Sequence, residues 1–455
     1  MLAFFCIMLF VLDCSIFGGG HYIAIGPLTP RMIFAFLALL LSIPILFIRR
    51  KQLLRNPLIL TVLLFAVYMG ICAIRGYYAQ NRLNVLLSDV KGFLWLFLVP
   101  VIMVNVTTKR QFSRLLDCVV IGAAIQSILV LVINVTCVLI PNGITIWYDY
   151  LIDTQIGNVN YISNAIFRIF MKSVPYTVVA LAIVVFRQIQ HRQIKKQYLL
   201  LAILYLNALL FSYTRSVYGC LLVVAVVGAA GILFLYRKYF RRFCKFTIIA
   251  LFLTCSFLFV QEFAFRASYV NFAFARTFGA QPTVSLAVSI REKLESPHVD
   301  FNDPNVDTEI EQPDDLEQEQ EYIDITEASD DIRSKTQAEL LEIISRNPIF
   351  GSGLGASAPS RDNGLDEYFY LDMLARTGII GLILYVLPFV YICVFMWKRR
   401  NTLSSYPFVV AQLSGMVGFW AITWFNPWMN AVLGITNYAL CFALPNLLKD
   451  FESNN

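Results

Sequence analysis

Apolar residues in this chain run in about a dozen long blocks, and Lys and Arg gather in every second gap between them. A helix crosses the hydrocarbon core with about 20 apolar residues, fewer where neighbours shelter it. By that measure spans fall near Leu2 to Phe17, Arg31 to Ile48, Pro57 to Ile74, Gly92 to Val106, Leu115 to Ile140 and Ser173 to Phe186. Six more fall at Tyr198 to Phe211, Val217 to Tyr236, Phe246 to Phe265, Gly378 to Trp397, Tyr406 to Trp424 and Ala431 to Leu448. The pattern predicts an all-α integral membrane protein of about twelve transmembrane helices. It divides into nine spans over residues 1–265, a long loop over 266–366, three spans over 367–448 and a tail over 449–455.

Short cytoplasmic loops hold the excess of Lys and Arg. The basic gaps are Arg49 to Arg55, Lys109 to Arg114, Arg187 to Lys196, Arg237 to Lys245 and Lys398 to Arg400, each an even number of spans from the next. This places both termini in the cytoplasm and the 266–366 loop outside the cytoplasmic membrane. The first span starts at Met1 with no basic segment and leaves through Gly18-Gly19-Gly20, which reads as a retained helix rather than a signal peptide.

Composition agrees: 58% of residues are hydrophobic and only 15% are charged, so lipid or neighbouring helices must solvate most of the chain. The net charge of +6 is accounted for by the basic gaps, which leaves no reason to infer a nucleic-acid partner. The ten cysteines lie in spans or at their cytoplasmic ends, and none lies in the long loop, so neither a disulfide framework nor a zinc site is expected.

Chemistry is sought outside the membrane. Residues Glu292 to Asp331 hold more than half the acids of the chain and read as a solvated segment, with cation binding as the other reading. Ile332 to Arg346 has helical spacing and ends at Asn347-Pro348, so a helix over the external mouth of the bundle is expected. Phe350-Gly351-Ser352-Gly353-Leu354-Gly355 is a glycine-rich turn without a nucleotide fingerprint's flanking strand or Lys. Asp372 and Arg376 stand one turn apart and can pair.

Several ionisable groups fall near the external boundary, where such groups often mark function. Arg215 lies in the short turn Thr214-Arg215-Ser216, Arg333 opens the loop helix, and Glu367 stands where the chain returns to the membrane. Arg168 and Lys172, four apart, fit one face of a helix ahead of the sixth span. For each cation the alternative is an interfacial anchor or a solvated arginine, and for Glu367 a solvated helix N-terminus. Cations converging on one cavity suit paired phosphates, which guanidinium groups grip with two hydrogen bonds.

The order of these segments resembles the O-antigen ligase and polymerase family. Arg333 precedes a helix, Asn347-Pro348-Ile349-Phe350-Gly351-Ser352-Gly353-Leu354-Gly355 follows, and Glu367-Tyr368-Phe369-Tyr370-Leu371 leads to Gly378-Ile379-Ile380-Gly381. Thr214-Arg215-Ser216 with Gly219 resembles the family's arginine turn, and Phe425-Asn426-Pro427 its asparagine-proline turn. One departure stands out: the family's histidine aligns with Glu367, and the chain's histidines are His21, His191 and His298.

The resemblance implies a GT-C-like, metal-independent membrane glycosyltransferase that needs no cofactor. Its donor would be an undecaprenyl-diphosphate-linked glycan, used on the outer face of the bacterial cytoplasmic membrane beside a flippase and a chain-length regulator of the same pathway. Glu367, Arg215 and Arg333 are then expected to be catalytic, and Arg168, Lys172 and Asn426 to bind diphosphate or glycan. The carboxylate in place of histidine points to polymerising repeat units, with ligation to lipid A core or another acceptor as the alternative. A lipid-linked sugar flippase is a further reading, but the halves show no internal repeat.

Overall fold

The structure, a computed structural model, describes residues 1–21, 28–163, 166–265, 267–278, 289, 331–361, 367–403 and 406–449. The acidic stretch anticipated from Glu292 lies outside the described residues except for Asp331.

Every apolar block is a helix. Pro30–Ile48, Pro57–Tyr78, Leu83–Asn105, Lys109–Leu139, Arg215–Leu235, Arg237–Phe265 and Phe369–Lys398 are long and apolar enough to cross a membrane. Leu2–Phe17, Val174–Gln188, Lys196–Leu210, Pro407–Ile422 and Val432–Leu447 are shorter apolar helices. Burial is high in two of the shorter helices. Val174–Gln188 and Pro407–Ile422 are buried along nearly their whole length and pack on each other, as expected of helices that are apolar all round. The long helices instead expose rows of large apolar side chains such as Phe36, Leu64, Val67, Leu222, Val226, Phe252 and Ile383. A surface of that kind suits lipid rather than water.

Buried polar pairs join the helices where no water could serve them. Gln412 donates to Asn437 Oδ1 at 2.8 Å, Asn105 to Ser42 at 2.7 Å and Thr177 to Gln126 at 2.5 Å. The span expected from Gly92 begins nine residues earlier, at Leu83. Asp89 and Lys91 lie within this helix, and Asp89 is buried 2.9 Å from the guanidinium of Arg376. Asp372, one turn before Arg376, lies 3.3 Å from it as expected.

The glycine-rich turn explains a break in the helix Phe369–Lys398. Gly378 has φ +65°, outside helical values, so the ladder opens there. The turn fills the opening: Ser352 and Gly353 amides donate to the carbonyls of Ala375 and Arg376 at 2.7 and 3.0 Å, and the Ile379 amide donates to Pro348 at 3.0 Å. Groups freed by the break are thus satisfied by protein, the condition for irregular backbone at membrane depth. Arg75 and Asn81, at the end of Pro57–Tyr78 and just beyond, bind the turn's carbonyls from the other side. The expected helix ending before Asn347 is present over residues 331–346 and stands on this clamped turn.

The segment before the sixth apolar block differs from the helix expected there. Gly157–Ser163 and Ile166–Met171 pair as an antiparallel hairpin, in which Arg168 lies opposite Asn160. Arg168 is therefore on a strand and Lys172 in the turn after it, so their spacing of four does not give them a common face. The Ile169 amide donates to Phe211 at 2.9 Å, which seats the hairpin on the end of Lys196–Leu210.

Candidate active site

Five separate pieces of chain meet at the end of the bundle opposite the basic loops. The hairpin contributes Arg168 and Phe170; the turn after Lys196–Leu210 contributes Thr214, Arg215 and Ser216. Arg333 and Ser334 come from the 331–346 helix, Glu367 and Tyr368 from the approach to Phe369–Lys398, and Phe425 and Asn426 from the turn after Pro407–Ile422. Together they line a cavity of about 580 Å³.

Each side chain is held by its local fold. Arg215 is the first residue of its helix, where unpaired amides and the helix dipole favour an anion. The preceding turn is tight: Tyr213 has φ +42°, and its ring packs edge-on against Phe272 at 5.3 Å. Left-handed backbone at a non-glycine residue stores strain that the surroundings must hold in place. Asn426 donates to Ser216 Oγ at 3.2 Å and so links the turn before the last helix to the Arg215 turn. Beneath the strand, Phe170 stacks on Trp428 with ring centroids 6.3 Å apart.

Among the described residues, three arginines share the cavity with one carboxylate. Glu367 accepts from Arg333 Nε at 2.5 Å and from Arg361 Nη2 at 3.3 Å. Burial lowers the pKa of Arg168, and the nearby positive charge of Arg333 lowers it further. Arg168 Nε is buried and makes no hydrogen bond among the described residues.

Of the six residues singled out from the sequence, Arg168, Arg215, Arg333, Glu367 and Asn426 share this cavity. Lys172 is not in its lining. Its amide donates to Ile156 at 2.8 Å and its backbone packs against Gly18. Burial and the neighbouring Arg31 lower its pKa. Sequence reasoning passed over Phe170 and Arg361. Phe170 had a signal, since Asn158 and Asn160 alternate with Val159 and Tyr161 in the hairpin's first strand, a period-2 pattern. Arg361 had none, because nothing local to it points to Glu367.

Residues 200–386 match the family model for O-Antigen ligase. This part of the chain is similar to the O-antigen ligase family. No curated protein matches the chain. The O-antigen ligase match takes in Arg215, Arg333, Arg361 and Glu367, while Arg168, Phe170, Phe425 and Asn426 complete the cavity from outside it. The chain thus joins helices long and apolar enough to cross a membrane to a region similar to O-antigen ligases.

Proposed function

We propose that the cavity catalyses glycan transfer from an undecaprenyl-diphosphate-linked donor on the outer face of the cytoplasmic membrane. In this reading the twelve apolar helices all span, both termini are cytoplasmic, and the 266–366 loop is external. The observation that carries it is the convergence of Arg168, Arg215 and Arg333 beside Glu367 in one cavity.

The acceptor hydroxyl attacks the anomeric carbon of the donor sugar. As the new C–O bond forms, the bond from that carbon to the diphosphate oxygen breaks, and undecaprenyl diphosphate leaves with the electron pair. Negative charge grows on the leaving oxygen, and preorganised cations stabilise it by several kcal/mol. Arg215 and Arg333 take this role with Arg168 assisting, so no metal is required by the scheme. Glu367 orients the acceptor hydroxyl and takes up its proton. Asn426 and Ser216 offer hydrogen bonds to glycan hydroxyls. Lys172 receives no part in the step.

Glu367, in place of the family's histidine, favours another lipid-linked repeat unit as acceptor, which makes the enzyme a polymerase. The name of the matched family favours the second reading, a ligase that moves a finished glycan to lipid A core or another acceptor. Product analysis with purified protein separates them. Synthetic lipid-diphosphate repeat units as sole substrate should yield a ladder of lengthened lipid-linked glycan. Undecaprenyl diphosphate released only after lipid A core or another acceptor is added would instead establish ligation. No transfer to any acceptor from folded protein would overturn both.

A further inference from the structure

Glu367 is held on both oxygens, Oε2 by Arg333 and Oε1 by Arg361. Arg333 and Glu367 line the cavity and Arg361 does not, so Arg361 reaches the cavity through Glu367. Its own place is fixed on three sides. Its Nε donates to Thr336 Oγ1 at 3.2 Å, its amide to Ala358 at 3.1 Å, and its carbonyl accepts from Arg82 at 2.6 Å. Next to it, Ser360 donates twice to Glu339, at 2.9 and 2.6 Å. Thr336 follows Arg333 by three residues on one helix and therefore shares its face. Arg361 thus binds both the helix that carries Arg333 and the carboxylate that grips Arg333.

Exposure and charge indicate what this contact does. The Arg361 and Glu367 side chains are 22% and 32% exposed, and ion pairs open to that much water contribute little to folding. Its effect on the cavity is larger. Alone with Arg333, Glu367 would spend its whole charge on that guanidinium; with Arg361 on its other oxygen, the charge of Glu367 is shared and its orientation fixed from behind. Fixing Nε also sets the plane in which a guanidinium presents its terminal nitrogens to phosphate.

We infer that Arg361 is a positioning residue for the lipid-diphosphate site: through Glu367 it orients the Arg333 guanidinium and shares the charge of the carboxylate that grips it. This rests on the cavity being the site of transfer. The test uses the full chain in nanodiscs as wild type, Arg361→Ala, Arg361→Lys, Glu367→Ala and the Arg361→Ala/Glu367→Ala double variant. Two readouts are taken: equilibrium binding of undecaprenyl diphosphate, and kcat and KM with a synthetic lipid-diphosphate glycan.

Arg361→Ala should weaken binding and lower kcat/KM by about tenfold or more, with the double variant within about twofold of Glu367→Ala alone. Arg361→Lys should recover part of the loss, since it returns the charge without the fork. The thermal midpoint of Arg361→Ala should stay within about 3 °C of wild type, which a structural role would not allow. Unchanged binding and turnover in Arg361→Ala, multiplying losses in the double variant, or a collapsed midpoint with full function in Arg361→Lys would each overturn the inference. Wild type that binds undecaprenyl diphosphate without transferring glycan would sink the transfer reading alone, and the binding comparison would still decide the role of Arg361. Wild type that does neither overturns both.

Discussion

Arg168 is the cavity cation with the most to gain from an anion. It is largely desolvated, it faces the charge of Arg333, and its Nε has no hydrogen-bond acceptor among the described residues. A bound diphosphate would relieve all three costs. Arg168→Gln, which removes the charge and keeps most of the volume, should therefore raise the thermal midpoint of the ligand-free protein, by about 1 kcal/mol of stability. The stabilisation that undecaprenyl diphosphate gives wild type should shrink in the same variant, and a thermal-shift titration reads both effects. Arg215 stands differently, at a helix N-terminus. Arg215→Ala at normal protein level should lower kcat by about 10²- to 10³-fold, the usual loss when one preorganised donor to a developing oxyanion is removed. Arg215, Arg333 and Glu367 were legible from sequence because charge at a membrane boundary is conspicuous. Lys172 misled for the same reason: its charge is conspicuous, but its place against Gly18 depends on contacts far along the chain.

At the scale of elements, the glycine-rich turn and the helix Phe369–Lys398 form one unit. A Cβ on Gly378 would lie 2.2 Å from the Ile349 carbonyl oxygen, on backbone with φ +65°. Gly378→Ala should therefore cost more than about 2 kcal/mol or abolish folded yield. Gly219, the glycine of the arginine turn, has no atom within 4 Å of its would-be Cβ and lies within a helix. Gly219→Ala should leave transfer intact and stabilise by about 0.5–1 kcal/mol. Melting curves of the two variants set against each other check both expectations. The tenth span is expected from Gly378, with no break in it; only the turn and the helix before it could be found in the sequence. That the turn plugs the break could not, because the match is made by backbone hydrogen bonds that carry no side-chain signature. The hairpin was missed for another reason. Arg168 and Lys172 imitate helical spacing, and the alternating asparagines that mark the strand are polar enough to read as loop.

In the whole molecule, the buried helices Val174–Gln188 and Pro407–Ile422 pack on each other while long helices turn apolar faces outward, and the cavity sits at the end away from the basic loops. The hydrophobic blocks made this layering legible, but which helices are central depends on packing that the blocks do not encode. The cavity-lining residues among those described all lie outside residues 297–327. Deleting that stretch should leave polymer synthesis within about threefold of wild type, since loop length changes closure entropy only slowly. Chain-length profiles from cells carrying the deletion check this.

The cavity's walls come from places far apart in sequence, with Arg168 near the middle of the chain and Asn426 just before the final helix. The site is therefore completed only once residue 426 has been made. A nascent chain that has inserted all of residues 200–386 still lacks the wall formed by Phe425 and Asn426, so it holds Arg215, Arg333 and Glu367 without a complete cavity. Completion would come in a single step, when the helices on either side of Asn426 dock, and on the proposed function shorter translation products would be inert.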